Sequence, residues 1–296
     1  MKGSPIAAPV AGAESPEEAA RWTRASIGVG VAGFSAFLGV YATQPLLPTL
    51  EREFGVGKAA AGLTVSATTI AVALASPFAG YVAGRFGHRR VIVAALFCLA
   101  APMLLAATSG SVGALVAWRF AQGLFVPFTQ AVAIGYIAEL WPAHRVGRAM
   151  SALVSANVIG GFSGRLLSGL AATLAGWRAS FVLLGLVTIG TAFAAARALP
   201  SRANAGGART AARSRGPALG LLLASPRLLA TFAVGFNVLF TQIAIFTYVT
   251  FHLAAPPFEL GAGALSWIFV VYLVGAFVTP IAGRWIDRVG SRRAVT

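Results

Sequence analysis

An all-helical chain that crosses a lipid bilayer many times is predicted by three features of this sequence: scarce charge, long apolar runs, and basic residues placed on one side. Of 296 residues, 57% are hydrophobic and only 10% are charged, against roughly 25% charged in an ordinary soluble domain. Too few Lys, Arg, Asp and Glu remain to cover a water-facing surface, which excludes a soluble globular protein. One cysteine excludes a disulfide scaffold, and without Cys/His clusters neither a structural metal nor any cofactor is expected. Cys98 lies in an apolar run, where it is expected to act as inert packing.

Crossing about 30 Å of hydrocarbon takes roughly 20 helical residues, and eight runs are long enough. They cover residues 26 to 48, 60 to 83, 91 to 109, 112 to 136, 149 to 173, 179 to 198, 227 to 251 and 262 to 284. Residues 1–25 are rich in Ala, Pro and Glu and read as a flexible cytoplasmic tail, not a cleaved signal peptide. Residues 26–198 then form a six-helix N-terminal bundle, 199–226 a basic Arg/Ala/Gly/Ser linker, and 227–296 the first two helices of a C-terminal bundle. With the tail inside, 18 of the 23 Lys and Arg fall on the inner side. Only Arg52, Lys58 and Arg178 fall outside, while Arg119 and Arg165 stay within apolar runs. This asymmetry predicts a multi-pass protein of the inner membrane with a cytoplasmic N-terminus. It also accounts for a net charge of +15 through the bilayer surface, without a nucleic-acid partner.

An internal repeat divides the chain. Ser76 to Gly87 aligns without gaps to Thr279 to Gly290 at an offset of 203 residues, with five of twelve positions identical. Each copy closes the second helix of a half and runs into a basic turn, His88-Arg89-Arg90 or Ser291-Arg292-Arg293. Such repeats are the mark of carriers built from two related bundles. The chain ends where a ninth helix is due, so a form truncated after the eighth helix is expected, monomeric if complete.

Five motifs occur in order. Gln44-Pro45-Leu46-Leu47-Pro48 ends the first run; Gly80, Arg85, Gly87, Arg89 and Arg90 mark the turn after the second. Arg119-Phe120-Ala121-Gln122-Gly123 lies in the fourth, Gly160-Gly161-Phe162-Ser163-Gly164-Arg165-Leu166-Leu167-Ser168-Gly169 in the fifth, and Trp177-Arg178 precedes the sixth. Together they resemble the major facilitator superfamily, in particular its drug:proton antiporter and sugar-efflux (arabinose efflux permease-like) branch, over about residues 27 to 296. Gly84 stands where the family has Asp, and Arg165 where its antiporter signature has Pro. The resemblance implies the major facilitator fold and secondary active transport of a small solute by alternating access. It further implies efflux of a drug, sugar or organic anion coupled to a proton. For Gly80, Arg85, Gly87, Arg89, Arg90 and Glu139, with Gly283, Asp287, Arg288 and Gly290 of the second copy, it implies a cytoplasmic gate joining the halves. Gly84 removes one carboxylate from that latch, whereas Asp287 keeps it in the second copy.

The intramembrane arginines carry most of the chemical information, because a guanidinium in hydrocarbon costs a few kcal/mol and must face water or a partner. Helical spacing puts Arg119, Gln122, Gly123 and Gln130 on one stripe, a candidate cavity wall. Arg119 either hydrogen-bonds carbonyls of a neighbouring helix or, as the resemblance implies, serves solute binding or proton coupling. In the fifth run Asn157, Gly161, Gly164 and Ser168 share a face with Arg165 at its edge. Gly123, Gly160, Gly161, Gly164 and Gly169 are expected to allow close helix contact, with a hinge as the alternative for the fifth run. Asn237, Thr241, Gln242, Thr247, Tyr248 and Thr250 line the seventh run, opposite Tyr41, Thr43 and Gln44. No acidic residue lies deep within a run, so two buried arginines need an anion, water or another helix to compensate them. A carboxylate- or phosphate-bearing solute, or one exposing several acceptor oxygens, is the expected occupant, with multidrug export as the alternative. His88, His144 and His252 sit at run ends and read as surface histidines.

No nucleophile, metal cluster or acid/base pair supports an enzyme, and no charged ring or carbonyl filter supports a channel. The alternative to a carrier is a non-transporting truncated membrane protein, or a membrane sensor or assembly partner.

Overall fold

The computed structural model describes residues 16–200 and 225–274, and every regular element among them is helical. Seven of its helical segments are long and apolar enough to cross a membrane. An eighth apolar segment is described from Ala262 to Val274. The repeat copy with Gly283, Asp287, Arg288 and Gly290 lies outside the described residues, as do most of the linker and residues 1–15.

Helix α1 spans Pro16–Val40 and begins ten residues before the first apolar run. Residues 16–25 are therefore not tail. Pro16, Glu17 and Glu18 open the helix as its vacant N–H groups and dipole favour. Trp22 then buries its ring 5.4 Å from that of Trp141, whose indole N–H donates to Ser26 Oγ at 3.2 Å. The segment is amphipathic, with one buried stripe, so hydropathy alone overlooks it.

The first run is also not one straight helix. It breaks after Val40, turns through Tyr41–Thr43, and resumes as a 3-10 turn, Gln44–Leu46, and a short helix α2, Leu47–Phe54. Pro45 and Pro48 have no N–H to donate, so continuous helical bonding back to Tyr41 and Gln44 is lost. Gly55, at φ +61°, closes α2 in a left-handed conformation that a glycine adopts without strain.

Five more helices complete the first bundle: α3 Lys58–Phe86, α4 His88–Ala106, α5 Val112–Leu140, α6 Ala143–Ala175 and α7 Trp177–Ala198. The second half contributes α8, Pro226–Ala254, and α9, Ala262–Trp267, which continues through a 3-10 turn at Ile268–Val270. Chain reversals alternate between two ends. Residues 41–57, 107–111, 176 and 255–261 share the far end; residue 87, residues 141–142, Leu199, Pro200 and Ser225 share the end that bears Pro16, here called the N-terminal end.

Within the bundle α3 packs on α5, α1 on α6 and α4 on both α5 and α7. A methyl placed on Gly123 would lie 2.3 Å from Thr68 O, and one on Gly160 2.3 Å from Phe34 O. At Gly164 the distance to Leu38 O would be 1.7 Å, so α1 and α6 touch backbone to backbone. Overpacking of this kind costs about 1–3 kcal/mol. Gly164→Ala is expected to lower the unfolding temperature of the detergent-solubilised protein by about 5 °C, at roughly 2–4 °C per kcal/mol. An unchanged unfolding temperature would show that the two helices are not in contact there. Cys98 departs from its expected packing role. It is exposed, in an apolar groove beside Phe125 and Phe128, because the bilayer is the solvent for that face.

The second half meets the first at the far end. Phe251 joins a buried cluster with Leu47, Ala61 and Val65, and a methyl on Gly169 would lie 2.4 Å from Ala262 O. Toward the other end, residues 229–241 of α8 are all exposed. Among the described residues, the contacts between the halves thus lie at the far end. Gln44 Nε2 donates to Thr247 Oγ1 at 3.3 Å across this contact. The two residues are 203 positions apart, the repeat offset, so equivalent positions of the halves meet at their shared axis.

Candidate functional site

Arg119 sits at the break in α1. Helix α1 ends at Val40, so its last carbonyls have no intrahelical donor and carry the negative end of the helix dipole. Arg119 supplies donors to them: Nη1 to Gly39 O at 2.7 Å and Nη2 to Val40 O. Its Nε donates to Thr64 O of α3 at 3.1 Å, and Nη1 also donates to Gln122 Oε1. Thr68 Oγ1 closes the node by donating to Arg119 O at 3.1 Å. The guanidinium is fully buried. It therefore joins α1, α3 and α5. Of the two roles open from the sequence, the geometry is that of the carbonyl-bonded arginine. Gln122 is buried with it, its amide nitrogen lacking a hydrogen-bond partner among the described residues.

Arg165 is held differently. Its Nε donates to Gln44 Oε1 and its Nη1 to Gly161 O, both at 2.7 Å. The guanidinium carbon lies 4.7, 4.9 and 4.6 Å from the ring centroids of Tyr41, Phe269 and Tyr272. Three desolvated faces of this kind favour a cation, each by about 0.5–2 kcal/mol. No carboxylate approaches it within ion-pair distance among the described residues.

This cage borders a cavity of about 90 Å³ between α1, α6 and α8, to which Tyr41, Asn157, Gly161, Arg165, Gln242 and Tyr272 contribute. Asn157 is fixed from α5. In the amide orientation that satisfies its neighbours, its nitrogen donates to Gln130 Oε1 at 3.2 Å and its oxygen accepts from Gln130 Nε2 at 2.6 Å. The volume suits a few waters, at roughly 30 Å³ each.

The structure thus gathers Tyr41, Asn157, Arg165 and Gln242 at one place, with Gln44 and Gln130 directly behind them. Asn237 and Tyr248 are exposed and lie elsewhere, Asn237 donating to Ala233 O on its own helix. Phe269 and Tyr272 belong to the site although nothing in the sequence pattern marks them, whereas Thr247, expected along the seventh run, meets Gln44 at the repeat offset.

At the N-terminal end, Arg89 caps α7: Nε donates to Leu199 O at 2.9 Å and Nη2 to Ala196 O at 2.6 Å. His88 Nδ1 lies 3.0 Å from Glu139 Oε2, and its ring stacks on Tyr136, so it is not simply a surface histidine. Arg85 and Arg90 are exposed, and Gly80, Gly84 and Gly87 have no neighbour within 4 Å of a side chain built there. The first copy of the gate motif makes its described contacts within its own bundle.

Membrane-length helices and an internal repeat whose equivalent residues Gln44 and Thr247 meet define a multi-pass membrane protein built from two related halves. The sequence pattern of the Major Facilitator Superfamily matches residues 29–296, and the chain belongs to that family. It is 29% identical over 259 residues to the uncharacterized MFS-type transporter YybF of Bacillus subtilis, covering 88% of this chain and 64% of that protein. It is 30% identical over 247 residues to a chloramphenicol resistance protein of Streptomyces lividans, covering 82% and 62%. Among solved structures, a bacterial homologue of the human lysosomal transporter Spinster, inward-facing and unoccupied, superposes with a TM-score of 0.69 at 16% identity. That likeness covers 95% of this chain and 64% of the other and concerns the fold. The chain spans less than two thirds of the length of these relatives.

Proposed function

We propose that the protein is a secondary active transporter of the inner membrane, N-terminus cytoplasmic, whose solute site is the cavity beside Arg165. The solute carries acceptor oxygens in the form of a carboxylate or phosphate. The observation that carries this reading is one guanidinium between the halves, fixed through Gln44, Gly161 and three rings, with no carboxylate beside it among the described residues. An anion entering there gains charge-assisted hydrogen bonds in a water-poor space, and the Tyr41, Asn157 and Gln242 side chains add neutral polar partners. Contact of the described halves at the far end is what the inward-open half of an alternating-access cycle requires. In an N-cytoplasmic orientation the site then opens to the cytoplasm, as an exporter loading its solute requires. The Streptomyces lividans relative named for chloramphenicol resistance supports efflux as the direction, and export against a gradient is assigned to exchange for protons.

The test is counterflow in proteoliposomes containing the protein, with radiolabelled mono- and dicarboxylates, phosphate esters and their neutral amides or alcohols. Anionic solutes are expected to exchange, and an imposed pH gradient to drive their accumulation. Exchange of neutral analogues alone would overturn the assignment of solute class. An absence of any exchange would favour the non-transporting alternative.

A further inference from the structure

A second cavity, about 410 Å³ in volume, lies at the N-terminal end of the first bundle, on the side of α1 that faces α7. Its side-chain lining is four arginines, Arg21 and Arg24 from α1, Arg89 from α4 and Arg197 from α7, and the backbone of Leu199 and Pro200 forms its floor. Among the described residues, no acidic side chain lines it. The Glu18 carboxylate lies 4.0 Å from Arg21 Nη2 with both side chains exposed, a geometry of little energetic weight.

The cavity is built, which separates it from a loose run of basic residues at a bilayer surface. Its floor is held by the two Arg89 bonds to Leu199 O and Ala196 O and by a hydrogen bond from the Tyr136 hydroxyl to Pro200 O. Its α1 wall is pinned by Trp22 against Trp141. At its base α1 and α7 nearly touch, since a methyl on Gly28 would lie 2.9 Å from Ala198 Cβ. Arg21 and Arg24, three residues apart, share one helix face. Two Arg89 nitrogens already bond carbonyls, whereas Arg24 and Arg197 are exposed and turn toward the same wet space. Arginine side chains gathered around one space suit an anion with several oxygens, which their planar forks can bind.

We propose that this cavity binds a phosphate group. The chemistry is shared by two sources, the headgroup of an anionic phospholipid at the membrane edge and free phosphate from the aqueous phase. The site is separate from Arg165, so it stands or falls independently of the transport reading.

The full chain in a neutral detergent is titrated with short-chain phosphatidylglycerol, short-chain phosphatidylcholine and inorganic phosphate, with bound ligand read by native mass spectrometry. Saturable phosphatidylglycerol binding is expected. A basic residue near an anionic headgroup contributes about a fivefold factor in affinity, so the double variant Arg24→Gln/Arg197→Gln should bind roughly 25-fold more weakly by the same rule. Arg24→Lys/Arg197→Lys should retain most of the affinity. Phosphatidylglycerol binding that millimolar phosphate does not displace identifies the lipid as the source; phosphate that binds alone and competes identifies the free ion. Equal binding of phosphatidylglycerol and phosphatidylcholine, no saturable binding, or unchanged affinity in a monodisperse Gln variant overturns the proposal. Should the double Gln variant fail to fold, Arg24→Gln alone, expected about fivefold weaker by the same factor, decides it.

Discussion

Replacing Arg119 with Leu is expected to lower the unfolding temperature of the detergent-solubilised protein by about 10 °C, taking roughly 2–4 °C per kcal/mol. The change removes donors from Gly39 O, Val40 O, Thr64 O and Gln122 Oε1 together. Bonds from a charged donor contribute about 1.5–3 kcal/mol each, and carbonyls left buried without a partner incur a further cost. Removing the buried charge recovers part of this, because the desolvation penalty of the guanidinium disappears with it. The balance is a net loss of about 3–5 kcal/mol, roughly that of two charge-assisted hydrogen bonds. Arg119→Lys should suffer most of the same loss, since one ammonium cannot span acceptors on three helices with the guanidinium's planar geometry. Unfolding temperatures are read by fluorescence-detected size exclusion after heating. A Leu variant that melts like the parent but loses transport would return Arg119 to the role of a solute contact.

Arg165→Ala is expected to weaken transport of anionic solutes by roughly 100-fold, the lower part of the range for removing one partner of a buried charge pair. Transport of a neutral analogue of the same shape should fall far less. Arg165→Lys keeps the charge but gives up the Nε bond to Gln44 and the flat face that meets Tyr41, Phe269 and Tyr272, so an intermediate loss of about tenfold is expected. The ordering Arg, Lys, Ala for anions, set against a flat response for neutral solutes, distinguishes a solute contact from a merely structural group. Equal losses for both solute classes would assign Arg165 to holding α6 against the second half.

Much of the candidate site was legible before any coordinates. Asn157 and Arg165 stand out because polar groups in an apolar helix need partners, and helical spacing already sets them along one part of the fifth run. Tyr41, Gln44 and Gln242 follow from polar residues facing each other across a twofold repeat. Phe269 and Tyr272 escaped notice because aromatic residues in a membrane segment look the same whether they face lipid, another helix or a cation. Asn237 and Tyr248 were grouped with the lining for the converse reason: period alone marks a polar residue without saying which neighbour its face meets.

The two arginines separate what each level decides. Composition, run length and the placement of basic residues determine a helical membrane chain, because hydrocarbon admits few polar groups and requires backbone bonds to close within each segment. The repeat likewise determines that two related halves meet about an axis. Neither says where an intramembrane guanidinium finds its oxygens. For Arg119 they are mainly backbone carbonyls 55 to 80 residues away, exposed by the break in α1, and a carbonyl leaves no mark in residue identity. For Arg165 the acceptor is Gln44, 121 residues distant, and the rings come partly from the second half. Only the packed arrangement could make one cation a structural tie and leave the other beside a cavity, because that difference lies in long-range neighbours that local sequence does not encode.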